Sequence, residues 1–127
     1  MSSRTLFLVA GLFAAPMPAI ACGACVEDQV AATYDHAVVT RAVARHHVVV
    51  FASVDSGRNL KSDVRQIRRA ATASQGVDPG SVRVSEEPSA LSFALDPTAR
   101  SPEAALADIQ ARLRAKGVKL AILRVAI

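Results

Sequence analysis

The chain of 127 residues reads as an α+β domain, a four-stranded sheet carrying helices with one additional helix in front. Three observations lead there. The run from His46 to Val54 is β-branched and almost continuously apolar, as in a strand buried on both faces in the middle of a sheet. Two short alternating runs, Val82 to Ser85 and Ala90 to Leu95, flank a break at Glu86-Glu87-Pro88 and read as a hairpin. Two apolar stripes recur at helical spacing, Leu60/Val64/Ile67/Ala71 and Leu106/Ile109/Leu113, and end at Gly76 and Gly117. Hydrophobic residues make up 51% of the chain and aromatics only 4%, so the core is expected to be built from Val, Leu, Ile and Ala.

The first residues read as a secretory leader. Arg4, the apolar run Leu6 to Ala15, the helix breakers Pro16 and Pro18, and small residues at Ala19 and Ala21 make its three regions and an A-x-A cleavage site. The run is shorter than the roughly 20 residues a bilayer span needs. An exported, periplasmic or secreted protein is expected, with residues 1–21 removed and Cys22 as the mature N-terminus. The same residues are similar to a lipoprotein signal in which Cys22 itself is lipidated, although Ala19 stands where leucine is preferred. A membrane-anchored lipoprotein is therefore the alternative, and membrane contact is expected only in that case. Residues 22–45 then form the C-x-x-C segment and first helix, and residues 46–127 the α+β domain.

From Ala24 to Ala44 neither glycine nor proline interrupts the chain, which predicts a single amphipathic helix. Its buried arc would hold Val26, Val30, Tyr34, Ala37 and Val38, with Thr33 and Arg41 at the margins. After the central strand, Asp55-Ser56-Gly57-Arg58-Asn59 supplies turn and cap residues for a second helix from Leu60 to Gly76. Its outer face carries Lys61, Arg65, Arg68 and Arg69, which suits either an anionic partner or a solvated surface. Asp78-Pro79-Gly80 is a turn. Ser101 as N-cap, Pro102 at the first helical position and Glu103 in the first turn open the last helix, and Val118 to Ile127 is the last strand.

After the first helix the order is strand, helix, strand, strand, helix, strand. That order resembles the ferredoxin-like split βαβ sandwich, βαββαβ, over about Arg45 to Ile127. It is also similar to small heavy-metal-associated domains, which carry a C-x-x-C after their first strand. Here the corresponding loop, Asp55 to Asn59, has no cysteine, so the family's metal site does not transfer to these residues.

The only two cysteines, Cys22 and Cys25, stand as C-x-x-C at the start of the first helix. Two thiolates suffice for a soft ion such as Cu(I), whereas structural zinc normally takes about four protein ligands. The positive end of the helix dipole favours an anionic ligand there, and Glu27 and Asp28 oppose that field. The expected function is soft-metal binding at Cys22 and Cys25, with Cu(I) the leading ion. Thiol–disulfide exchange, and a lipid-anchored interaction module without metal, are the alternatives. His36 lies on nearly the azimuth of Cys25, but roughly 16 Å along one straight helix, too far to share an ion. His46 and His47 are expected at or near the surface. Formal net charge is +4, with no basic patch interleaved with aromatics, so the expected partner is a soft ion or another protein and not nucleic acid. No general acid–base pair, nucleophile constellation or phosphate-cradling loop is present to suggest an enzyme.

Overall fold

The computed structural model describes residues 25–127, so the expected leader at residues 1–21 and Cys22 lie outside the described residues. The fold is α+β. Strands β1 (Val48–Asp55), β2 (Arg83–Glu86), β3 (Ser89–Leu95) and β4 (Lys119–Ala126) form one antiparallel sheet in the order β2-β3-β1-β4. Helices α3 (Val64–Ala73) and α4 (Pro102–Arg112) cover one face, and α1 (Val26–Thr33) and α2 (His36–Ala44) pack on the other. β1 is interior, and its unbroken apolar character has a direct cause. Val50, Ala52 and Val54 enter the core under α3 and α4, while Val49 and Phe51 enter a second core with Val30, Val38 and Ala42.

β3 shows the same two-sidedness with a division by size. Leu91, Phe93 and Leu95 fill the larger core, whereas Ala90, Ser92 and Ala94 point to the other face. Small residues there let α1 approach closely enough for the Ser92 hydroxyl to donate to the Thr33 carbonyl at 3.1 Å. Ser81 fixes the entrance to β2: its buried hydroxyl donates to the Asp78 carbonyl at 2.6 Å and accepts from the Ala94 N–H at 2.8 Å.

Two expectations are corrected. The first helix is two helices, broken at Tyr34-Asp35. Asp35 caps α2 by accepting from the N–H groups of Ala37 and Val38, and its other oxygen is held by Arg83 at the start of β2. The break turns the apolar arc: Val30, Thr33, Val38 and Ala42 are buried, while Val26, Tyr34 and Ala37 are exposed. α2 ends with His47 N–H on the Ala42 carbonyl and His46 N–H on the Val43 carbonyl, the paired bonds of a Schellman stop. His46 takes the left-handed position (φ +57°) that glycine usually fills.

The second helix also starts later than its apolar stripe implies. Leu60–Ser62 is a 3-10 turn and α3 begins at Val64, because Asp63 between them is held by Arg58 through two bonds of 3.0 and 3.1 Å. Asp63 is only 3% exposed, and a carboxylate so placed needs such a partner. Arg58 also donates to the Lys116 carbonyl, tying this turn to the segment after α4. α3 ends at Ala73, three residues before Gly76. Gly76 is nonetheless required, since at φ +87° an added Cβ would lie 3.2 Å from Leu95.

α4 and its stop follow the sequence reading. The Ser101 hydroxyl caps the Ala104 N–H, Leu106, Ile109 and Leu113 are buried, and Gly117 closes the segment at φ +68°. β4 departs from strict alternation. A bulge opposite Phe51/Ala52 leaves Leu123 without a partner, so Leu123 and Arg124 both turn toward the α1/α2 face.

Ile67 and Ile109 are completely buried in the core between the helices and the sheet. Ile67→Ala and Ile109→Ala are each expected to lower unfolding free energy by about 2–5 kcal/mol. Urea unfolding measures this, and neutral results at both positions would contradict the assignment of faces.

Candidate functional site

Cys25 is the N-cap of α1, with extended backbone (φ −79°, ψ 165°), and its carbonyl accepts from the Gln29 N–H at 3.1 Å. Its thiol caps nothing and is exposed to solvent. Cys22, the other half of the C-x-x-C, lies outside the described residues. The start of α1 is anchored by two side chains. Gln29 donates to the Ser89 carbonyl at 3.2 Å, and Glu27 pairs with Arg124 of β4. The β4 bulge makes the second contact possible, because alternation without it would direct Arg124 to the opposite face.

That pair changes the charge around Cys25. Of the two acids in the first turn, Glu27 is matched by the Arg124 guanidinium, whose hydrogen bond and then charge hold the Glu27 carboxyl below its usual range. Sequence reasoning missed this. The partners are 97 residues apart, and only the bulge, a tertiary feature, brings them together.

None of the histidines joins Cys25. His36 opens α2, with its ring 3.4 Å from the Tyr34 hydroxyl and 3.5 Å from that of Thr40. His46 occupies the left-handed turn. His47 is half-buried beside Asp96, whose carboxyl is held low chiefly by the Thr98 hydroxyl and N–H and less by the His47 charge. Val48, next to His47, pairs with Leu95, whereas Ala90, next to Ser89, pairs with Ser53. His47 and the Ser89 end therefore stand about 20 Å apart along β1. Among the described residues no group of three or more His, Cys, Asp or Glu side chains could hold a metal ion. The loop after β1 is a polar turn, with Asp55 accepting from the Gly57 N–H and Ser56 donating to the Arg58 carbonyl.

No family model matches the chain, and no curated protein or solved structure matches it. No helix among the described residues is long and apolar enough to cross a membrane.

The orientation of α1 depends on the break before α2, and so on Asp35. Its carboxyl is held below the usual range, first by the Arg83 hydrogen bond and then by the Val38 N–H. A depressed folded-state value means that this contribution is complete above the unfolded pKa, near 3.9, and is lost as pH falls through the folded one. Asp35→Asn keeps a capping oxygen but removes the charge that Arg83 meets. Its stability is expected to fall less steeply than that of the parent below about pH 4, measured by urea unfolding at neutral and acid pH.

Proposed function

We propose that the chain is an exported ferredoxin-like module that binds a soft monovalent ion, with Cu(I) the leading candidate, through Cys22 and Cys25. The order of elements after α2, the antiparallel arrangement β2-β3-β1-β4 and the location of α3 and α4 on one face support the ferredoxin-like part. The leader pattern supports export, with Cys22 as the mature N-terminus.

The observation that carries the metal reading is the exposed Cys25 thiol at the first turn of an anchored helix. It takes part in no cap, and the chain brings its only other cysteine three residues away. Two sulfur ligands match the low coordination number of Cu(I). The second reading is thiol–disulfide exchange, which the same exposure and spacing favour.

Three measurements test these readings. Intact mass of the protein from its native host is expected to match residues 22–127, and an added diacylglyceryl and acyl mass would mean a lipidated Cys22 with no thiol to offer. Titration of the reduced protein with Cu(I) is expected to give one ion bound per chain, lost in Cys22→Ser and in Cys25→Ser. Reduction of insulin disulfides without metal binding would move the assignment to redox chemistry.

A further inference from the structure

We infer that the outer surface of α3 and α4 is a docking surface for an anionic lipid bilayer, independent of the cysteines. Most arginines outside α3 meet a carboxylate, among them Arg58 on Asp63 and Arg100 and Arg112 on Asp108. On and around α1 and α2, Arg41 and Arg45 meet Asp78, Arg83 meets Asp35, and Arg124 meets Glu27. On the α3 side, Lys61, Arg65, Arg68 and Arg69 are exposed and form no ion pair among the described residues. Residues 1–24 contain no Asp or Glu that could neutralise them.

These charges spread in two dimensions. Lys61, Arg65 and Arg68 line one open groove, Arg65, Arg68 and Arg69 the next, and Arg69 shares a third with Arg112 at the end of α4 and Lys116 beyond it. Glu86 borders the first groove, and Asp63, between Lys61 and Arg65 in the chain, is taken up by Arg58. On α4, Glu103 is exposed, while Asp108 is taken up by Arg100 and Arg112. The unmatched positive charge therefore lies on α3 and the turn before it, and continues past α4 at Arg114 and Lys116.

The shape and chemistry select the occupant. The large exposed apolar side chains are Val26, Tyr34, Val43, Val125 and Ile127, none of them on α3 or α4. Without aromatics the layer has nothing on which single-stranded bases would stack. A duplex major groove about 12 Å wide admits one helix, and here α4 lies alongside α3. An acidic peptide would need a single channel with side-chain pockets, whereas these arginines fan across several open grooves. A plane of lipid phosphates meets such a spread of cations without pockets or insertion.

The test is co-sedimentation with vesicles of phosphatidylcholine containing about one-third phosphatidylglycerol, against phosphatidylcholine alone, at about 0.05 M and about 0.5 M salt. The full chain carries Cys22→Ser throughout, so that no lipid can be attached to it. Binding is expected only to the anionic vesicles and is expected to disappear at high salt. Arg68→Gln should weaken it about fivefold, and Arg65→Gln/Arg68→Gln/Arg69→Gln about a hundredfold. The corresponding three lysine substitutions should retain it, and Arg45→Gln on α2 should change it less than twofold or so. Circular dichroism establishes that each variant is folded, and exposed Arg68→Gln alone keeps the test decisive if the triple variant is not. Equal binding to neutral vesicles, indifference to Arg68→Gln, or tighter binding to polyglutamate or duplex DNA at the same salt would overturn the inference.

Discussion

β1 is buried from both sides, and the rest of the arrangement follows from that burial. A sheet with one wet face alternates polar and apolar residues, but Val49, Val50, Phe51 and Ala52 are all within 3% of complete burial. Helices α3 and α4 satisfy only Val50 and Ala52. Without α1 and α2, the sheet would present Val49, Phe51 and Ala94 to water, an apolar patch across its two central strands. The segment before His46 is thus part of the folding unit, and the start of α1 with Cys25 inherits its position from the sheet.

Apolar contact alone is a thin adhesive for α1 and α2, whose buried contribution is mainly Val30, Thr33, Val38 and Ala42. Polar contacts at the margins supplement it. Asp35 and Asp78 hold α2 to the entrance of β2 through Arg83, Arg41 and Arg45, and Glu27 and Gln29 hold α1 to β4 and to the β2–β3 turn. These pairs are half-exposed, so each contributes little to stability, and their effect is to set orientation. They also take up three carboxylates, Glu27, Asp35 and Asp78, whereas no ion pair among the described residues matches Lys61, Arg65, Arg68 and Arg69.

What could be read beforehand was what local chemistry decides. The β-branched run announced β1, Ser101-Pro102-Glu103 announced α4, and Gly117 marked a left-handed stop with no Cβ to obstruct it. What could not be read depended on distant partners. Asp35 looks like an ordinary helical residue until Arg83, 48 residues on, fixes its carboxylate and lets it cap a new helix. His46 closes α2 in a conformation that normally signals itself by glycine, so the stop carried no signature. Of the candidate site, the helix start at Cys25 was legible and the Glu27–Arg124 pair was not, because a one-residue bulge at Leu123 decides which face Arg124 takes.

The two surfaces lie on opposite sides of the sheet, and their geometry constrains how they can be used together. From Cys22 to Cys25 the chain can reach at most about 10 Å. The helix layers on either side are separated by roughly twice the 10 Å spacing of packed layers. A lipid on Cys22 would therefore hold the α1 side toward the bilayer and turn Arg65, Arg68 and Arg69 away from it. With the α3/α4 layer seated on anionic headgroups, the start of α1 with its exposed Cys25 would face outward instead. Lipid anchoring and basic-layer docking would thus orient one molecule in opposite ways, and only the second leaves the Cys22 sulfur a thiol, because lipidation converts it to a thioether.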